Sequence, residues 1–353
     1  MSTSLQQYYI NARYMKMIIH TLILLLMIST LYSCFLQNEE GVLPVSNKIM
    51  VAAKGSSVIL NQPDTGLYHQ RMKQLANGDK SGRWPPKTAV PATGAILPFR
   101  RVLAYYGNFY STGMGVLGQY PPQQMLEKLT AEVKAWEQAD PLTPVVPAIH
   151  YIAVTAQKSP GNGNKYRLRM PFTQIDKAIE LAAQVNGIVF LDIQLGHSSL
   201  AEEIPALKKY LQLPQVHLGI DPEFSMKNGK VPGTSIGTLD AADINYATAY
   251  LASLVREFNL PPKLVVVHRF TNGMLTNYKQ INTGKEVQVV INMDGFGFPA
   301  KKKNTYYHCI YKEPVQFSGF KLFYKNDTKT VKQIMQPADI LQLKPQPVYI
   351  QYQ

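Results

Sequence analysis

Eight short, β-branched apolar runs recur between residue 101 and the last residue, and they constrain the fold more than anything else in the chain. They are Val102–Gly107, Val145–Thr155, Ile188–Leu195, Val216–Asp221, Leu264–His268, Val287–Asp294, Gly319–Tyr324 and Val348–Tyr352. Runs of this length, rich in Val, Ile and Tyr, read as strands. Their near-continuous apolar character is that of a parallel sheet covered on both faces. Segments with helical spacing stand between several of them. These are Pro121–Asp140 with its proline-rich start, Phe172–Asn186 closed by Gly187, Leu200–Leu211, Asp240–Phe258 with Asp240 as its cap, and Thr328–Ile340. Eight strands with helical or long connections over about 250 residues are the count and size of an α/β chain folded as a (β/α)8 TIM barrel. An open doubly wound sheet would need a glycine-rich phosphate turn after its first strand. Gly107-Asn-Phe-Tyr-Ser-Thr-Gly113 lacks G-x-G-x-x-G, and there is no P-loop. A barrel over residues 99–353 is therefore expected.

Several of the runs turn acidic or polar at their C-terminal ends, where barrel enzymes keep their chemistry. Side chains alternate along a strand, so Asp192 and Gln194 share one face, and Asp221 and Glu223 share one. The same alternation groups Leu264, Val266 and His268, and sends Asn292 and Asp294 inward with them. The first strand offers Tyr105 or Tyr106, the second His150 or Tyr151, and the eighth Tyr352 or Gln351; His217 lies deep enough to be core. The candidate catalytic set is Glu223, Asp221, Asp192 and Asp294. The candidate substrate-binding set is Gln194, His268, Arg269, Tyr106 and Tyr352. Structural duties compete for each: Asp192 as a helix cap, His268 as a satisfied core histidine, Asp294-Gly295 as a turn. Glu223 is the strongest candidate. An Asp and a Glu two apart on a strand stand about 6.6 Å apart, and such a pair pushes one carboxyl toward an acid usable near neutrality.

The composition is globular, 46% hydrophobic and 17% charged over 353 residues, with room for a sizeable core. The formal net charge of +13 brings anionic partners into consideration. The longest basic run is Lys301-Lys302-Lys303, with no nucleic-acid motif beside it, so nucleic acid is not an expected partner. The two cysteines, Cys34 and Cys309, exclude zinc sites built on several thiolates and leave no disulfide expected in the folded domain.

Residues 17–31 form an apolar run behind Arg13 and Lys16, with the length of a signal-peptide core. It ends in Leu31-Tyr32-Ser33-Cys34, which resembles a bacterial lipobox, Tyr32 being the departure. The resemblance implies removal of residues 1–33, a lipid on Cys34, and an exported protein held at the membrane of the cell envelope; the competing reading is an uncleaved anchor helix. Residues 34–98 read as a tether that partly packs on the domain, with short strands at Val51–Ala53 and Ser57–Leu60 and a short helix at Tyr68–Leu75.

Asp-x-Glu ending the fourth strand and Met293-Asp294 ending the sixth are similar to the pattern of family-18 chitinases. Here the longer acidic run before the pair is replaced by Val216-His-Leu-Gly-Ile220, and no tryptophan ends the eighth strand. Longer stretches resemble a family of uncharacterised bacterial secreted proteins and lipoproteins with a glycosidase-like (β/α)8 barrel. They include Leu191-Asp-Ile-Gln-Leu-Gly196, Leu218-Gly-Ile-Asp-Pro-Glu-Phe224, Leu260-Pro-Pro-Lys-Leu-Val-Val-Val-His-Arg-Phe270 and Met293-Asp-Gly-Phe-Gly297, with Arg269 where that family tends to carry Gln. The expectation is a glycoside hydrolase acting on a cell-envelope or environmental glycan by carboxylate acid/base catalysis, without a cofactor. One alternative is a divalent-metal phosphodiesterase or hydrolase using Asp192, Asp221, Glu223, His268 and Asp294 as ligands, although neither H-x-H nor H-E-x-x-H is present. The other is a non-catalytic barrel that binds a glycan or a surface partner.

Overall fold

The structure, a computed structural model, describes residues 64–353. The signal segment, Cys34 and the strands expected at Val51–Ala53 and Ser57–Leu60 lie outside the described residues. Among the described residues no helix is long and apolar enough to cross a membrane.

Eight parallel strands close into a barrel: β1 (Arg101–Gly107), β2 (Val145–Ala156), β3 (Ile188–Ile193), β4 (Val216–Ile220), β5 (Lys263–Arg269), β6 (Val287–Met293), β7 (Phe317–Leu322) and β8 (Tyr349–Tyr352). Each pairs with the next, and β8 returns to β1 with Val102 opposite Tyr349. Arg167–Arg169 adds an antiparallel strand to the end of β2, and Leu239–Asp240 pairs with Leu275–Thr276 above the barrel wall. The helices are α1 (Thr65–Leu75), α2 (Pro122–Ala139), α3 (Phe172–Ala183), α4 (Leu200–Ala206), α5 (Lys208–Leu211), α6 (Ala241–Glu257), α7 (Pro299–Tyr306) and α8 (Pro337–Ile340).

Local chemistry explains most of these boundaries. Proline opens α2, where a missing N–H has no helical partner to lose, and Met125, Leu126, Leu129 and Trp136 form its buried stripe. A capping box starts α6: Asp240 Oδ1 accepts from Ala242 N at 3.0 Å, and Asp243 Oδ2 accepts from Asp240 N at 2.7 Å. The left-handed residue that ends α3 is Asn186 (φ 50°), not Gly187. Gly187 is needed for a different reason, since a Cβ there would lie 2.7 Å from Pro147 O. The expected helix Leu200–Leu211 breaks at Leu207, because Pro205 withholds an N–H from the last turn of α4. The expected helix Thr328–Ile340 shrinks to α8. Residues 328–333 carry no apolar stripe to bury, and the neighbouring Asp327 is drawn inward to Lys302 and to Phe323 N.

One apolar layer lies between the strands and the helices, and a second fills the barrel. The inner layer contains Val102, Ala104, Ala148, Phe190, Val266 and Val290, and α1 seals it from below with Tyr68 and Met72. Leu97 completes the seal. Its N–H donates to Gln288 Oε1 at 3.2 Å and its carbonyl accepts from Gln288 Nε2 at 2.6 Å, so an inward glutamine is satisfied. Residues 64–98 thus supply part of the floor of the barrel through Tyr68, Met72 and Leu97, while Trp84 packs in the outer layer and donates to Tyr311 O.

Candidate functional site

The alternation that buries Ala104, Ala148, Phe190, Val266 and Val290 sends Tyr106, His150, Asp192, His268 and Asn292 into the barrel one step higher. Asp192 is their hub. His150 Nε2 lies 3.2 Å from its Oδ1, His268 Nε2 lies 3.5 Å from the same oxygen, and Tyr106 Oη donates to Oδ2 at 3.0 Å. His150 Nδ1 is 2.6 Å from Tyr349 Oη, and Gln351 Nε2 donates to that hydroxyl at 3.0 Å. His268 Nδ1 pairs with Asp294 Oδ2 at 3.0 Å, and Lys321 Nζ lies 3.0 Å from Asp294 Oδ1 and 3.9 Å from the centre of the Tyr106 ring. All of these side chains are buried.

Room for this layer comes from Gly219 on β4. A Cβ there would sit 2.3 Å from His150 Nε2 and 2.4 Å from Asp192 Oδ1. Gly319 on β7 does the same for Asn292, whose Oδ1 would be 2.6 Å from an added Cβ.

Above the layer opens a cleft of about 630 Å³. Tyr106, Gln194, Asp221, Glu223, Asp294 and Lys321 are part of its polar lining, together with Lys301, Thr155, Thr305, Asn326 and Gln353. Phe224, Phe270, Phe296 and Phe323 supply aromatic walls. Of the candidates read from the sequence, Glu223, Asp221, Asp294, Gln194 and Tyr106 meet in this cleft, while Asp192 and His268 lie buried beneath it.

Glu223 arrives by a different route from strand alternation. β4 ends at Ile220, and Asp221 caps a single 3-10 turn, Pro222–Phe224, accepting Glu223 N on Oδ1 at 3.1 Å. Gln194 holds the other side of that cap. Its Nε2 is 3.5 Å from Asp221 Oδ2 and from Tyr106 Oη, and its Oε1 accepts from Ala156 N at 3.1 Å.

Two expected substrate contacts are corrected. Tyr352 faces the helix layer, where its hydroxyl accepts from Trp136 Nε1 at 2.9 Å; Gln351 is the inward member of that strand. Arg269 also leaves the barrel. Its guanidinium donates to the carbonyls of Thr271, Asn272, Leu275 and Cys309 and pairs with Glu313. His217 is core as expected, with Nδ1 accepting from Leu264 N at 3.1 Å. The sequence reading missed Lys321 and left His150 undecided. The signal for Lys321 was a lysine at an inward parity position inside Phe320-Lys-Leu-Phe323.

The charges separate the carboxylates. Burial alone would raise Asp192, but the neighbouring charge of His268 and the hydrogen bond from His150 outweigh it and hold it well below the usual carboxylate range. Asp294 is likewise pushed up by burial and more strongly down by Lys321 and His268. His268 is the converse: burial disfavours its charge, yet Asp192 and Asp294 carry its pKa up to about 10. Burial keeps His150 neutral, at about 4. Asp221 is raised well above its ordinary value, by burial first and then by Asp192, Glu223 and Asp294, against the pull of His268. Glu223 is raised by burial and by the charge of Asp294, against the weaker downward pull of Lys321 and His268. Among the described residues no basic side chain pairs with Glu223 within ion-pair distance.

No protein-family model matches the chain, and no curated protein matches it by sequence. Among solved structures it is similar to a GH5-4 broad specificity endoglucanase from an uncultured bovine rumen ciliate. The identity is 9% and the TM-score 0.31, with 58% of this chain and 72% of that chain covered. A likeness that slight carries no argument about chemistry, and the barrel assignment rests on the strand pairings themselves.

Proposed function

We propose that the cleft is the active site of a glycoside hydrolase, with Glu223 as general acid and Asp294 as the paired carboxylate. The observation that carries this reading is that two carboxyls lining one aromatic-walled cleft have opposite surroundings. Asp294 has Lys321 and His268 against its two oxygens, whereas Glu223 has no cation within ion-pair distance among the described residues. Surroundings that drive two carboxyls apart in acidity are those that divide acid from base or nucleophile. Glycoside cleavage uses such a division: one group protonates the leaving oxygen and the other supports an oxocarbenium-like centre or activates its partner. Asp221 is a positioning residue that fixes the turn carrying Glu223, and Asp192 is one that holds the Tyr106 hydroxyl. The aromatic walls offer faces on which sugar rings stack.

The same reading makes the substrate a cell-envelope or environmental glycan, reached by an exported protein lipidated at Cys34. Acyl labelling of wild type and Cys34→Ala tests that part. The catalytic part is tested on a panel of polysaccharides and aryl glycosides. Glu223→Gln and Asp294→Asn should each lose at least about 100-fold in kcat, consistent with the contribution of acid–base groups. Aryl glycosides with good leaving groups should partly rescue Glu223→Gln and not Asp294→Asn. Full activity in Glu223→Gln on unactivated substrates refutes the assignment.

A further inference from the structure

We propose that His150 Nε2, Asp192 Oδ1 and His268 Nε2 form a binding site for a divalent transition ion of the zinc class, directly beneath the cleft floor. The three atoms lie within 4.8 Å of one another. They come from β2, β3 and β5, elements that the barrel holds rigidly in register.

The separations from Asp192 are longer than those of a strong ion-pair hydrogen bond and near those of ligands sharing an ion. Hydrogen bonds between an imidazolium and a carboxylate are usually about 2.7–2.9 Å long. Asp192 Oδ1 stands 3.2 Å from one imidazole nitrogen and 3.5 Å from the other. Donor atoms held about 2.0–2.2 Å from a tetrahedral ion are about 3.3–3.6 Å apart, close to both separations from Asp192, while the two imidazole nitrogens, within 4.8 Å of each other, would draw together around the ion. His268 Nε2 is moreover a fully buried nitrogen that faces Asp192 Oδ1 at 3.5 Å without making a hydrogen bond of good geometry. Nitrogens of that kind are rare unless something uses them.

The far side of each donor is anchored. His150 Nδ1 is tied to Tyr349 Oη at 2.6 Å, His268 Nδ1 to Asp294 Oδ2 at 3.0 Å, and Asp192 Oδ2 accepts from Tyr106 Oη at 3.0 Å. Outer partners on every ligand, including a carboxylate behind a histidine, fix ring orientation and tautomer in metal centres. Gly219 makes room for the donors themselves, because a Cβ there would lie 2.3 Å from His150 Nε2 and 2.4 Å from Asp192 Oδ1. Two imidazoles and one carboxylate suit zinc-like ions better than magnesium or calcium, which prefer oxygen.

The ion would connect to the cleft through Asp192 and Tyr106, whose ring lines it. The assignment of Glu223 and Asp294 does not depend on the ion, since Lys321 pairs with Asp294 in either case.

Untagged full chain, stripped with chelator, tests the site by titration with Co2+ and Zn2+. The expected result is one ion per chain, with the intense visible bands of low-coordinate Co2+ appearing on addition and vanishing when Zn2+ displaces it. His150→Gln and His268→Asn should abolish the bands. Tyr349→Phe, which removes only an outer partner, should weaken binding by about 10–100-fold while the fold persists. Glu223→Gln should bind the ion like wild type, so loss of hydrolysis there and loss of metal elsewhere are read separately. A folded wild-type chain that takes up neither ion, or bands that survive both histidine substitutions, overturns the proposal.

Discussion

Gly219→Ala is the sharpest test of how the buried polar layer is packed. The added methyl would meet His150 Nε2 at 2.3 Å and Asp192 Oδ1 at 2.4 Å, whereas comfortable contacts begin near about 3.5 Å. Each partner would have to retreat by more than about 1 Å, and neither has slack. His150 is pinned by Tyr349 at 2.6 Å and stacks on Phe190 with ring centres 5.1 Å apart; Asp192 is held by Tyr106. Overpacking of this kind costs about 1–3 kcal/mol. Parting a buried hydrogen-bonded pair adds about 1–3 kcal/mol. Replacing glycine by alanine returns about 0.4–1 kcal/mol by stiffening the unfolded chain. The central expectation is a loss of about 3 kcal/mol, which at about 2–4 °C per kcal/mol lowers Tm by about 6–12 °C. The control is Gly273→Ala, where an added Cβ meets nothing within 4 Å and the change should stay within about 0.5 kcal/mol. Urea and thermal unfolding followed by circular dichroism decide the matter. A Gly219→Ala protein as stable as wild type would refute the packing argument.

Glu223→Gln should also show a pH-dependent gain in stability. Burial and Asp294 raise the Glu223 pKa, so above about pH 4.3 the folded chain keeps a proton that the unfolded chain releases, and stability falls as pH rises. The glutamine variant escapes that penalty: its Tm should exceed that of wild type at about pH 8 and match it at about pH 4. At the opposite end of the barrel, Lys263 donates to the carbonyls of Leu213 and Val216 at 2.5 and 2.9 Å, and burial pushes its ammonium down to about 7. Between there and about 10.4 the unfolded chain binds the proton more strongly, so this lysine makes stability rise with pH. Lys263→Met should flatten that rise in urea midpoints. Arg269→Ala should destabilise by about 3 kcal/mol by stranding Glu313 and several carbonyls, yet leave KM unchanged, because the guanidinium lies outside the cleft.

The barrel was legible because its strands are covered on both faces and so stand out as apolar runs between helical segments. The acids of the mouth were legible because strand side chains alternate, and that reasoning delivered Asp192, Gln194, His268 and Asp294 to one end. It reached Glu223 for the wrong reason. The strand stops before Asp221, and a capped turn carries Glu223 into the cleft. Alternation could not choose between Gln351 and Tyr352, since both faces of β8 are buried and an aromatic suits either. Arg269 was expected in the site together with His268, yet neighbours on a strand point opposite ways, and the arginine left the barrel. Lys321 escaped notice because a lysine in an apolar run suggests a solvated edge; its partner, Asp294, comes from the neighbouring strand and only the closed barrel reveals the pair.

The interior of this barrel changes character along its axis, and that gradient locates its chemistry. Below, valines, alanines and Phe190 fill the space, with Gln288 satisfied by Leu97. Above, charged groups replace them, although burying a lone charge is far costlier than burying a valine is favourable. The chain meets that cost by pairing: Asp294 lies between Lys321 and His268, and Asp192 accepts from Tyr106 beside two imidazoles. A group so enclosed is committed to its own protein. Reactivity is therefore to be sought where the pairing stops, and on the cleft wall it stops at Glu223, a raised carboxyl with no cation within ion-pair distance among the described residues.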